Sequence, residues 1–414
     1  MIKNILIFLF AIRPVIDLAW EEEFLLGMNL AGIVATFIIA LTIIYGFKQR
    51  EITKIRSLSV GTGLLFFAYI AIITLINTTQ LSDYNYAIRL LSELAFLIIV
   101  APHISLKNLN KLMIWFLVVT LVPILLTYGQ VAGIVEYTYF DYVDGNQISR
   151  GSGGYRQPSV LTRFCSIGLL YALYLLEIRK GEVKYRFFLY TYMVLNLIAV
   201  IFSYHRTGMF LVFFLTILWY LLKEKRRLSS GVIKVVFATG GIFAVAILVY
   251  HMNLISVELS VIQSMLSLDN IIAISSSGSY QFSLRGRGDI LLVLVNGLVN
   301  NPLIYSIFGN GVAQNAVTHI TIDPADMEFI RVLWNGGIIG CLLWLWHFVT
   351  IKRNIDRWKN EKRISSFYRL AICMFWCFIV WGLCIEATES PNLMYHVYLI
   401  CGWCSFKRNV IKNI

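Results

Sequence analysis

Runs of about 20 apolar, nearly uncharged residues recur along the whole chain, and they decide what it can become. A segment of that length crosses the hydrocarbon core of a bilayer as a helix, because a helix satisfies its own backbone polar groups there. Twelve such segments are read, near residues 4–19, 24–47, 58–77, 86–104, 111–134, 159–178, 185–203, 207–222, 232–251, 327–350, 367–385 and 391–406. Composition agrees: 58% of the 414 residues are hydrophobic and 14% are charged, with a mean hydropathy of +0.73. Soluble domains carry about 25% charged residues, so a soluble enzyme, a disordered chain and a disulfide-stapled secreted module are excluded. The expected fold class is an all-α integral membrane protein, one polytopic domain over residues 1–414. Its first segment is interrupted by Arg13-Pro14 and lacks a small-residue cleavage site, so it reads as a retained helix rather than a cleaved signal.

The net charge of +12 points to membrane orientation rather than to nucleic acid. With the N-terminus in the cytoplasm and the spans alternating, 26 of the 35 basic residues fall on the inner side, in segments such as 48–56, 179–186, 223–234 and 352–369. That bias orients the chain with both termini cytoplasmic. Two large outer loops follow, at 135–158 and 252–326, and the second contains an apolar stretch between 289 and 308 read as an amphipathic or re-entrant helix. The seven cysteines all lie in apolar stretches and read as small hydrophobes; Cys401-Gly-Trp-Cys404 lacks the βαβ context of a redox motif.

Every lysine falls on the inner side, whereas the nine basic residues outside it or within the membrane are all arginine: Arg13, Arg89, Arg150, Arg156, Arg163, Arg206, Arg285, Arg287 and Arg331. Guanidinium forks bidentately onto phosphate and keeps its charge in a low dielectric, so this choice of residue suits an anionic ligand. Two of the nine have a structural reading. Arg13 with Asp17 and Arg89 with Glu93 are spaced i,i+4 and suit intrahelical ion pairs.

Three motifs remain. Ser203-Tyr204-His205-Arg206-Thr207-Gly208 places an arginine between two spans. Leu284-Arg285-Gly286-Arg287-Gly288-Asp289 is followed by Pro302 and Gly309-Asn310-Gly311. His319, Asp323 and Asp326 precede a span containing Gly336-Gly337-Ile338-Ile339-Gly340. Singly, each is explained by turns and close helix packing.

Together their order and spacing resemble the bacterial O-antigen polymerase and O-antigen ligase superfamily. Arg206 matches the arginine of the first family pattern, and Arg287, fifteen residues before Pro302, matches that of the second. Asp326 stands fourteen residues before Gly340, where the ligases typically carry histidine, which favours a polymerase. Arg156 to Gly168 and Arg285 to Gly297 repeat one Arg-x11-Gly spacing, as polymerases often do in their two outer loops.

The resemblance implies a glycosyltransferase that joins undecaprenyl-pyrophosphate-linked oligosaccharide repeat units at the periplasmic face, by an inverting, metal-independent reaction without cofactor or nucleotide sugar. Other partners would be the lipid bilayer and a chain-length regulator, with no nucleic acid. Arg206 and Arg287, with Arg156 and Arg285, would hold the departing pyrophosphate, and Asp326 or His319 would be the base. Asp323 is not separable from these two. Tyr137, Tyr139, Phe140, Tyr142 and Tyr155 suit sugar stacking or an interfacial aromatic belt equally. The rivals are a ligase moving polymer to lipid A core and a flippase for the same lipid-linked anion.

Overall fold

A computed structural model describes residues 2–19, 23–25, 28–48, 58–77, 91–143, 146–179, 182–223, 302–311, 328–384 and 391–406. The span expected at 232–251 lies outside the described residues, as does most of the second large loop. The remainder is a helical bundle. Its helices are α1 (Ile2–Ala11), α2 (Arg13–Ile16), α3 (Leu30–Lys48), α4 (Leu58–Asn77), α5 (Leu91–Val100), α6 (Leu106–Val131) and α7 (Pro158–Ile178). They continue with α8 (Val183–Phe202), α9 (Arg206–Leu221), α10 (Leu303–Phe308), α11 (Glu328–Asp356), α12 (Ser365–Cys384) and α13 (Pro391–Trp403). Six described helices are long and apolar enough to cross a membrane: α4, α6, α7, α8, α11 from Arg331, and α12 with its preceding turn. Two short antiparallel hairpins decorate the connections, β1 (Glu23–Leu25) with β2 (Met28–Asn29), and β3 (Phe140–Val143) with β4 (Asn146–Ser149).

Three of the expected spans differ locally. The segment at 4–19 is broken at Ile12, because Pro14 opens a fresh turn and supplies no N–H to continue α1. The one at 24–47 begins with the first hairpin, so its helix starts only at Leu30. The one at 327–350 is interrupted at Gly337, whose φ of 59° and ψ of −164° no helix contains.

α6 shows why the bundle belongs in lipid. Leu109, Leu112, Met113, Phe116, Leu117, Thr120 and Ile124 recur at helical spacing and are buried, while Trp115, Val118, Val122 and Leu125 on the opposite face are exposed and equally apolar. A helix apolar on all sides is stable only where its outer face also avoids water. α7 and α13 are the enclosed centre. α7 is buried at every position from Leu161 to Leu175, and α13 from Asn392 to Ile400.

Between helices in lipid the hydrophobic effect gives little, so close packing and hydrogen bonds set the contacts. Gly208 on α9 lies against Thr162, and Gly168 on α7 admits the Tyr192 ring and hydroxyl. Asn196 donates to the Cys165 carbonyl at 2.9 Å, and Thr120 meets the Tyr192 hydroxyl at 2.9 Å. Such bonds contribute about 0.6 kcal/mol each on average in a membrane. One face of the lower bundle is tied by His347, whose Nδ1 is 3.2 Å from Thr62 Oγ1 on α4 and whose Nε2 is 3.0 Å from the Tyr398 hydroxyl on α13.

The two ends of the bundle differ. At one end Lys3 donates to the His103 carbonyl, Trp403 to that of Ile104 and Trp358 to that of Cys404, and Arg369 pairs with Glu177. Lys107, Arg179, Lys352 and Arg363 belong to the same end by position along their helices. The opposite end is formed by the N-termini of α7, α9 and α13, the C-termini of α8 and α12, and the segment 150–157.

Candidate functional site

That opposite end holds Arg13, Arg150 and Arg163 buried, while Arg369 is buried at the lysine end beside Glu177. The Ser203–Gly208 motif is the connection from α8 to α9, and it is as tight as a helical hairpin allows. Tyr204 adopts φ 47°, the one non-glycine left-handed residue among the described residues. It follows the α8 C-cap, where this conformation closes a helix and glycine is usual. His205 is the N-cap of α9, and its Nδ1 accepts the Gly208 N–H at 3.1 Å. The Thr162 hydroxyl of α7 lies 3.2 Å from the same nitrogen. A Cβ at 208 would sit 2.5 Å from Thr162 Cβ, so only glycine lets α9 approach α7 this closely.

From this turn the site extends across four helices. The His205 ring stacks on the Trp381 indole of α12, with centroids 5.6 Å apart and planes 22° apart. The Arg163 guanidinium of α7 lies 5.4 Å from the centroid of the same indole and reaches Asn392 Oδ1 of α13 at 3.5 Å. A guanidinium over tryptophan is held by the ring quadrupole and keeps its charge where water is scarce.

The segment after the second hairpin straps this region. Gly151 donates to the Phe202 carbonyl at the end of α8, and Gln130 Oε1 accepts the Ser152 and Gly153 N–H groups at 3.0 Å each. The strap buries Arg150 and Tyr155. Tyr155 donates to the Pro14 carbonyl at 2.7 Å, and burial, with the Asp17 carboxylate adding to it, pushes its phenol well above its usual range. It is therefore a structural tie and not a platform for sugar. Beneath it Arg13 pairs with Asp17 at 2.8 Å, as the i,i+4 spacing predicts, and lies 5.6 Å from the centroid of the Tyr395 ring. Glu93 is buried nearby and acts on Arg13, while Arg89 is outside the described residues.

Of the residues expected from sequence to hold the pyrophosphate or act as base, the described ones are Arg156, whose side chain is exposed before α7, and Arg206, whose backbone forms the first turn of α9. Arg285, Arg287, His319, Asp323 and Asp326 lie outside the described residues. Gly168, paired with Arg156 by spacing, has a packing reason of its own in Tyr192. Arg163, His205, Trp381 and Asn392 were not assigned a role by sequence. The one available signal was Arg163, an arginine inside an apolar run with no carboxylate one turn away.

Two glycine motifs from separate segments meet at the break in α11. Pro302 caps α10, and Gly309-Asn310-Gly311 then docks on the break in α11. Asn310 and Gly311 donate their N–H groups to the Trp334 and Asn335 carbonyls at 3.0 and 2.9 Å. Those carbonyls lose helical partners at Gly337, so the turn satisfies what the break exposes. Gly309 and Gly337 both have positive φ and touch: a Cβ at 309 would be 2.3 Å from the Asn335 oxygen, and one at 337 would be 2.4 Å from that of Ile307.

Among the described residues, no three His, Cys, Asp or Glu side chains come together as a metal cage. Cys401 and Cys404 are buried free thiols. No protein-family model matches the chain, and a comparison with curated proteins finds no match.

Proposed function

We propose that the chain is a membrane-embedded polysaccharide polymerase, acting at the periplasmic face of a bacterial inner membrane on undecaprenyl-pyrophosphate-linked repeat units. In this reading twelve spans place both termini in the cytoplasm, and the arginine-rich end faces outward. The observation that carries it is the separation of charge type along one bundle. The described lysines collect at one end, where the buried Arg369 is neutralised by Glu177, while Arg13, Arg150 and Arg163 are buried at the other, beside the turn that starts with Arg206. Buried arginine is costly in a membrane and is retained where it meets an anion or a charged intermediate.

In the reaction, an acceptor sugar hydroxyl attacks the anomeric carbon of the donor, and the pyrophosphate leaves with the bonding electrons. Arg206 and Arg287, with Arg156 and Arg285, stabilise the charge that grows on it. Asp326 or His319, with Asp323 as the third candidate, takes the hydroxyl proton. The docked Gly309-Asn310-Gly311 turn supports the reading, since it ties the second outer segment to the bundle at the end where the first turn lies.

The test is a deletion strain examined for its polysaccharide. Single repeat units on the lipid A core, or on the carrier for a capsule-type product, are expected. A bare core with long chains left on the carrier would instead assign the chain as a ligase.

A further inference from the structure

We infer that residues 302–311 form a re-entrant element that dips into the hydrocarbon and presents Leu303, Ile304 and Phe308 to lipid acyl chains, rather than resting on the membrane surface as an amphipathic helix would. Two helices give its depth independently. α4 has 20 residues and is about 30 Å long, the thickness of the hydrocarbon core. Ser59 bonds Ser405 at the lysine end, so Asn77 marks the opposite surface. The 308–311 turn lies between two rungs of α4. Asn77 reaches the Gly309 carbonyl, Tyr69, eight residues or about 12 Å further in, reaches that of Phe308, and Gly311 lies against the Thr74 backbone between them. On α11, Gly309 touches Gly337, six residues or about 9 Å inside Arg331, where the apolar span begins.

Backbone chemistry points the same way. A loop in water can leave N–H and C=O groups to solvent, but in hydrocarbon each needs a protein partner. Here the N–H groups of Gly309, Asn310 and Gly311 donate to the Tyr305, Trp334 and Asn335 carbonyls, while the Phe308 and Gly309 carbonyls accept from Tyr69 and Asn77. Asn310 turns its side-chain amide inward as well, onto the Trp334 carbonyl.

The other side of the element is apolar. α10 carries no charge and none of its residues is buried; Leu303, Ile304 and Phe308 are 75%, 60% and 44% exposed. Six residues make too short a helix to persist by itself in water. In hydrocarbon the same backbone has no competing partner, and lipid solvates the exposed side chains. The helices it docks on are apolar and exposed at the same level, at Ile72, Leu75 and Ile76 of α4 and Ile338 of α11.

This insertion rests on the membrane-spanning bundle and not on polymerase activity. The test places a spin label on the full chain, its seven native cysteines replaced by alanine, in phosphatidylcholine nanodiscs. Labels at Leu303→Cys and Ile304→Cys should collide with oxygen more than with a water-soluble nickel chelate, as one at Leu75→Cys does; Arg156→Cys is the aqueous reference. A preference for nickel overturns the insertion, and so does shielding from both reagents, which would mean that protein covers the face. In the chain with its native cysteines, Ile304→Asp should raise protease cleavage near 302–311 about tenfold or more, because a short carboxylate cannot reach the interface, and Ile304→Phe should not. Equal cleavage of the two variants overturns the proposal even if the cysteine-free chain fails to fold. Normal polymer from the deletion strain would remove the polymerase reading and leave both results unchanged.

Discussion

The Tyr69 hydroxyl of α4 donates to the Phe308 carbonyl at 2.8 Å and lies 3.2 Å from that of Gly336. One phenol thus bridges the end of α10 and the break in α11, and both carbonyls it reaches are ones that their own helices leave without a partner. Asn77, two turns further along α4, adds a longer bond to the Gly309 carbonyl at 3.4 Å. The docking of residues 302–311 therefore depends on α4 as much as on α11.

Tyr69→Phe removes the bridge and keeps the ring that packs against Gly340. The expected cost is about 1 kcal/mol, that of one hydrogen bond. Limited proteolysis should show it as faster cleavage near 302–311 at unchanged global melting temperature.

The glycines at the break should not behave alike. Gly337→Ala and Gly309→Ala force a Cβ onto backbone atoms at positive φ and should prevent the turn from docking. Gly336→Ala meets only the Ile70 Cδ1 at 3.0 Å, the end of a flexible side chain, and should be tolerated. Thermal unfolding of the three purified variants checks the order.

Asp17→Asn should be worse than removing the whole Arg13–Asp17 pair. Losing Asp17 leaves the buried Arg13 with the more weakly acting Glu93 and costs up to about 3–5 kcal/mol, whereas apolar replacement of the pair removes the buried cation together with its main partner. The double variant Arg13→Met with Asp17→Leu is expected to melt above Asp17→Asn.

Tyr204→Gly and Tyr204→Ala both lose the side chain, but only glycine relieves the left-handed backbone. Glycine should be the more stable by about 1–2 kcal/mol. Equal melting temperatures would show that the turn relaxes in the alanine variant.

Apolar periodicity made the helices of the bundle readable, because length and hydropathy alone fix a span. Leu58–Asn77 coincides with the segment read at 58–77, and the ends of α7, α8, α9 and α12 fall within two residues of their segments. The break at Gly337 was not readable. Gly336-Gly337 suits close helix packing as well as a turn, and the choice is made by a loop that docks from elsewhere in the chain. The same holds for the site. The place of Arg206 at the start of a helix was legible from a local motif, but Arg163, His205, Trp381 and Asn392 come from four separate segments and share no spacing. Tyr155 was read as a surface aromatic because burial by a strap leaves no trace in its neighbours.

The two halves of α11 are moored to different things. Residues 338–356 are fastened through His347 to Thr62 on one side and to Tyr398 on the other. Residues 328–336 are fastened through their carbonyls to the Gly309–Gly311 turn. A continuous helix would carry a tilt at one end to the other like a rod. Here Gly337 divides the helix into two halves, each with its own moorings, and α4 spans the joint by reaching one through Thr62 and the other through Tyr69.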